Sequence, residues 1–389
     1  MMWKKAFAML FGLLVLASSV PMIKADAAVN MNLVILVSDN EADYALAEKL
    51  AENLNVSVVV TPWGIYDSNI TAEIASYAPD SVLIIGGPAA VPKLYEDDLQ
   101  NLNITWFRIW GSDRYETNIK VLEYVMQNYP DVLKDVKIVI ANGRDMGAIK
   151  KIGNSKKVFP IYVNANNTDN QTKILGIMKV TGVIIIKTPF SANITERIRE
   201  RVREKVQNVT EENENITAEM AWEAIEIAQN KTALAESLID NATNPSAPKL
   251  LELAKKELNN AMEAYNESEY GKAYGQAIAA KAHAEVVIRF ASEDFQERFH
   301  KNLQIRAEVE IMKVERIIER FDELGMNVTA ANTTLEQAKN AYDEGKYGEA
   351  FELAKEAEKI LKDIMHEEKA LIREHVRERI KHRKDKWKH

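Results

Sequence analysis

The chain contains no cysteine. That excludes disulfide staples, iron–sulfur clusters, thiolate zinc sites, cysteine nucleophiles and a cysteine-borne lipid anchor. Cations are outnumbered, 50 Lys and Arg against 58 Asp and Glu for a net charge of −8, so nucleic acid is not the default partner. Beyond the first 27 residues no apolar run reaches the roughly 20 residues that a bilayer span requires. The fingerprints G-x-G-x-x-G, G-K-[ST], G-x-S-x-G and H-E-x-x-H are all missing. The six histidines (His283, His300, His366, His375, His382 and His389) show no close metal spacing and read as surface positions. Acidic pairs such as Asp97-Asp98 and Glu211-Glu212 read as solvated runs. No catalytic residue, cofactor or metal ligand is therefore assigned from the sequence.

What is present begins with an export signal. Lys4-Lys5 precede an uncharged stretch from Ala6 to Val20, and "ADA" at Ala25 to Ala27 is a small-x-small cleavage pattern. Residues 1–27 are read as a signal peptide with mature Ala28; an uncleaved anchor is the alternative. The acceptor pattern N-x-[ST] then occurs at Asn55, Asn69, Asn103, Asn166, Asn170, Asn193, Asn208, Asn215, Asn230, Asn241, Asn266, Asn327 and Asn332. With 30 Asn and 30 Ser plus Thr in 389 residues, random placement gives about two such patterns, against the 13 found. The excess predicts an exported, heavily N-glycosylated protein. A vocabulary of Asn and Thr helix caps is the competing explanation. Many Lys and Glu with no Cys would also suit a thermophile.

Residues 28–206 alternate apolar runs with helical patterns. "NLVILVS" (Asn32 to Ser38), "VSVVVT" (Val56 to Thr61) and "SVLIIGG" (Ser81 to Gly87) read as strands buried on both faces, with helices between them. The rhythm returns in "KIVIANG", "VFPIYVN" and "TGVIIIKTP", about a hundred residues on. Two parallel-sheet α/β repeats are expected, at about 33–125 and 136–206. Residues 207–216 are polar and read as a linker. From 217 to 389 the pattern is helical, and the expected fold class is α/β followed by all-α. "AYNESEYGKAYGQAIAA" from Ala264 matches "AYDEGKYGEAFELAKEA" from Ala341 at an offset of 77. With no Gly or Pro between Gly275 and Gly325, one helix of about 50 residues is expected there, on the order of 75 Å long. Two spectrin-like antiparallel three-helix units in series would form a rod. Tyr265, Tyr270, Tyr274, Tyr342 and Tyr347 recur with this repeat and read as core or hairpin contacts.

"VLIIGGPAAVP" followed by "RIWGSDRYETNIKVLEYV" resembles the cell wall binding repeat 2 family. Arg108, Ile109, Gly111, Asp113, Arg114, Tyr115 and Thr117 fall on that family's pattern, as does Asp43 in "DNEADYALA". The second copy lacks the Gly-Gly and Arg-Tyr-x-Thr elements. The resemblance implies non-covalent attachment to the cell envelope, repeats associating in threes, and binding of an anionic wall polymer. The sequon density and composition look more like an archaeal surface layer than a Gram-positive wall.

Gly86-Gly87 is expected to turn the chain at the carboxyl end of a strand, where ligands of open α/β sheets sit. Arg114 at a helix start suits an anion or a locking contact between loops. Gly86, Gly87, Arg114, Thr117 and Asp43 are thus the candidate envelope- or ligand-binding residues. The basic tail, Arg373 to His389, would pair with an acidic face of the bundle, touch anionic lipid or glycan, or end as a solvated helix. The leading expectation is a non-enzymatic, cell-surface glycoprotein whose α/β half binds an envelope polymer, glycan or surface-layer protein, with a homotrimer one arrangement. Its helical half would be a rod acting as spacer or interaction module. The alternatives are a soluble exported protein holding an anionic glycan or polymer near Gly86-Gly87 and Arg114, and an exported hydrolase without a recognisable site.

Overall fold

A computed structural model describes residues 32–376, apart from 134–135, 156, 179, 181 and 189–190. The stretch read as a signal peptide, Pro189 and tail residues 377–389 lie outside the described residues. Two four-stranded parallel units come first. Unit 1 holds β1 (Leu33–Ser38), α1 (Glu41–Leu54), β2 (Ser57–Thr61), α2 (Ser68–Ala75), β3 (Ser81–Ile85), α3 (Leu94–Asn101), β4 (Thr105–Ile109) and α4 (Arg114–Asn128). Unit 2 holds β5 (Lys137–Asn142), α5 (Met146–Asn154), β6 (Val158–Val163), α6 (Thr168–Gln171), β7 (Val183–Lys187), α7 (Ala192–Arg203) and β8 (Val209–Asn213). The sheet orders are β2-β1-β3-β4 and β6-β5-β7-β8, so the repeat seen in the sequence is a repeat of topology.

One expected boundary is corrected. Residues 207–216 are not a linker, because β8 pairs in parallel with β7 from Val183↔Val209 to Lys187↔Asn213 and completes the second sheet. It is an edge strand with polar side chains. Glu211 pairs with Arg199, and Glu212 with Lys151, a charged edge of the kind that blocks further pairing.

The helical half contains a first bundle of α8 (Ala218–Leu238), α9 (Ala247–Asn266) and α10 (Tyr270–Lys301) and a second bundle of α11 (Leu303–Glu323), α12 (Thr329–Asp343) and α13 (Tyr347–Glu367). The 77-residue repeat is exact at the hairpins. Tyr265–Tyr270 and Tyr342–Tyr347 pack with steeply inclined rings, centroids 5.4 and 5.2 Å apart. The turn residues Ser268 and Gly345 both adopt positive φ, 63° and 75°. The single long helix does not form: Asn302 leaves helical geometry and its side chain accepts hydrogen bonds from the N–H groups of Gln304 and Ile305. A helix can be restarted by a capping side chain without Gly or Pro.

The helices do not stand clear of the α/β half. One face of sheet 1, with Val34, Leu36, Val59, Val82 and Ile84, shares a core with α2, α3 and the second bundle, including Ile317, Phe321, Leu335 and Leu361. The other face, with Ile35, Val37, Leu83 and Ile85, shares a core with α1, α4 and unit 2. Trp63 and Ile65, just past β2, pack on Leu251, Val287 and Ile288 of the first bundle. Unit 1 is therefore the hub on which the other three parts rest.

Candidate functional site at the carboxyl ends of the strands

The Gly-Gly turn is locked from within. Gly86 has φ +118°, a region open to glycine. The Arg108 guanidinium donates to the carbonyls of Gly86 (2.7 Å) and Val91 (3.0 Å) and pairs with Glu96. Gly87 lies under the Trp110 ring. Arg108 falls on the motif but is not among the expected site residues; from β4 it reaches the turn after β3 and Glu96 of α3, and its other terminal nitrogen is buried without a partner among the described residues.

The motif after β4 closes the start of α4. Asp113 caps it, accepting from the N–H groups of Tyr115 and Glu116, and the Thr117 hydroxyl accepts from the Gly111 N–H at 2.9 Å. A Cβ on Gly111 would stand 2.4 Å from Glu116 Cβ and 2.7 Å from the Thr117 backbone nitrogen. Gly111→Ala is expected to lower unfolding stability by about 1–3 kcal/mol through overpacking. An unchanged denaturation midpoint would show that this turn has slack.

Arg114 donates to the Gly143 carbonyl of unit 2 at 2.9 Å, so its observed contact ties the start of α4 to the loop after β5. The same seam holds Asn118, fully buried. Its amide donates to the Pro160 carbonyl and accepts from the Tyr162 N–H, satisfying the free edge of β6 as a neighbouring strand would. The Tyr162 hydroxyl returns a bond to the Ala42 carbonyl.

Asp43 is buried, and one carboxylate oxygen has no hydrogen-bond partner. Burial pushes its carboxyl up to about 6, partly opposed by the nearby Arg114 charge. Around it, Glu41 and Glu285 pair with the buried Lys281 of α10 at 2.9 and 2.8 Å, and Asp39 pairs with Lys231 of α8 at 2.8 Å. The carboxyl end of β1 is thus covered by the first bundle. In unit 2 the Tyr274 hydroxyl of α10 takes the corresponding place. It accepts from the Gly147 N–H and donates to Asp145, which also accepts a hydrogen bond from Thr188.

Beside these contacts a cleft of about 370 Å³ opens between α1, α5, α8 and α10. Asp39, Glu41, Glu48, Glu223 and Lys150 border it, over a wall of Tyr44, Met146, Ile149, Met220 and Tyr274. Of the five expected site residues none lines this cleft. Asp98, read as solvated, is also buried, bonded to Tyr66, Thr71 and Lys313.

The sequon asparagines lie on the surface. Twelve of the thirteen are exposed, and Asn241 is half-buried with its oxygen accepting from Arg298. Of the sixteen other described asparagines only six are exposed: Asn101, Asn154, Asn213, Asn259, Asn302 and Asn340. Helix capping accounts for some sequons, since Asn55 and Asn103 take left-handed φ at helix ends and Asn327 accepts from the Thr329 N–H. It does not account for Asn230 in the middle of α8, where asparagine is a poor helix former. In the basic tail Arg373 reaches back to the Ala78 carbonyl and pairs with Asp80, beside Lys369.

No family model matches the chain. It is 44% identical over 122 residues to an uncharacterized protein of Methanocaldococcus jannaschii, covering 31% of this chain and 34% of that one. It is 27% identical over 171 residues to an uncharacterized protein of Pyrococcus horikoshii, covering 43% and 50%. A Pyrococcus abyssi protein is similar at 27% over 169 residues, covering 42% and 49%. The chain thus spans about a third to a half of the length of these archaeal relatives. Among solved structures it is similar to Cwp6 from Clostridium difficile, with a TM-score of 0.39 and 22% identity over 47% of this chain and 29% of that one.

Proposed function

We propose that the chain is an exported, N-glycosylated surface protein of an archaeal type, held non-covalently to the cell envelope or surface layer. The observation that carries the reading is the placement of the sequons. Placement by chance would follow the other described asparagines, six of sixteen of which are exposed, and capping leaves Asn230 in the middle of α8 unexplained. The motif from Gly86 to Thr117, with its resemblance to cell wall binding repeats, supports attachment through the α/β half. The role of the helices changes: they brace unit 1 as part of one body, instead of serving as a free spacer. Self-association of copies and contact of the basic tail with anionic lipid belong to the same proposal.

The test uses the mature chain, residues 28–389, mixed with envelopes isolated from source cells. The protein is expected to sediment with the envelopes and to be released by a chaotrope without bond cleavage. A chain that stays in the supernatant across the salt range would remove the attachment reading.

A further inference from the structure

The geometry points to a binding site for an alkylammonium group in the cleft between α1, α5 and the first helical bundle. Four carboxylates border that cleft, and three already have cations. Asp39 is held by Lys231, Glu41 by Lys281, and Glu223 by Lys150 at 2.5 Å. Glu48 is left. Among the described residues no cation pairs with it, and its hydrogen-bond partner is the Tyr44 hydroxyl at 3.3 Å. Gly153 of α5 faces the other carboxylate oxygen, leaving open the space that a side chain would fill.

The rest of the wall suits the other half of such a ligand. Tyr44 and Tyr274 bring aromatic rings, and Met146 and Met220 bring polarizable thioethers. Aromatic faces attract cations through their quadrupole, and methionine adapts to an alkyl chain. The volume, about 370 Å³, is near the lower end of small-molecule sites, which fits one amine-terminated chain. An anion would meet Glu48 with every neighbouring cation engaged. This site is separate from the envelope-binding proposal and does not depend on it.

The probe is hexylammonium, with hexan-1-ol as its neutral counterpart, titrated calorimetrically into the full mature chain. Hexylammonium is expected to bind at least tenfold more tightly than the alcohol. Glu48→Gln should weaken the ammonium about tenfold and leave the alcohol unchanged. Tyr44→Leu, which keeps bulk at an exposed position but removes the ring, should weaken the ammonium about threefold. Equal affinities for the two probes, an unaffected Glu48→Gln variant, or no binding of either probe would overturn the site. The group can come from a polyamine or from a lysine side chain. Displacement of the probe by spermidine or by Nα-acetyl-lysine amide, whichever is tighter, identifies the source, and displacement by neither counts against the proposal.

Discussion

Replacing Lys313 by methionine is expected to cost about 3–5 kcal/mol of folding stability, the usual consequence of stranding a buried charge. The Lys313 ammonium is almost fully buried and touches Asp98 at 3.0 Å, Glu310 at 2.9 Å and Glu358 at 2.7 Å. These carboxylates come from α3, α11 and α13, so one cation joins unit 1 to two helices of the second bundle. Burial alone would push the lysine down, but its three carboxylates outweigh that and hold it well above its ordinary value. Burial raises Glu310 to about 7 despite Lys313; Glu358, despite its burial, is lowered by Lys313 and Lys355.

Without Lys313, Lys355, which pairs with Glu358 and lies 3.7 Å from Glu310, is the one cation among the described residues still paired with the cluster. Denaturant unfolding at neutral pH measures the loss. The quadruple variant Lys313→Met, Asp98→Asn, Glu310→Gln, Glu358→Gln should recover most of it, because all three carboxylates that the lysine held are then neutral. A single-variant loss below about 1 kcal/mol, the range of an exposed pair, would mean that the cluster is open to water.

Replacing Asp43 by asparagine is expected to have the opposite sign. The folded carboxyl titrates near 6, above its ordinary 3.8. Between those values the folded chain keeps a proton that the unfolded chain has released. The favourable contribution is complete below the unfolded value and is lost as pH rises through about 6. At about 1.36 kcal/mol per pH unit, ionised Asp43 costs about 3 kcal/mol at pH 8 relative to pH 3. Asparagine has the same shape and no proton to lose. The stability difference between variant and native chains should therefore shift by about 3 kcal/mol in the variant's favour between pH 3 and pH 8. Parallel pH profiles would contradict the assignment, and a shift of the other sign would mean that the carboxylate forms a true ion pair with Arg114.

The strands of both units were legible because β1, β3 and β6 are buried on both faces, which leaves unbroken apolar runs. β8 was not, because an edge strand pairs on one side and can carry Glu211 and Glu212 to solvent-facing partners. The helix hairpins were legible from the 77-residue match. Their docking on sheet 1 was not: a stripe of alanine and leucine shows that a face is buried, not what covers it. Lys281, Glu285, Glu310, Lys313 and Glu358 are all buried, yet each reads singly as a solvated helix charge. Only the fold brings them opposite one another. The Gly86–Thr117 motif was found from the sequence; the reach of Arg114 to Gly143, 29 residues on, was not, because only the fold brings unit 2 beside the start of α4. The cleft at Glu48 had no sequence signal, since its wall comes from four helices distant in the chain.

The measurement that tests the central reading most directly is glycopeptide mass mapping of the protein taken from the envelope fraction of source cells. The account predicts carbohydrate on the twelve exposed sequon asparagines, with Asn241 the least occupied. Unmodified asparagine at all thirteen positions, in a protein recovered from the soluble cell fraction, would contradict it.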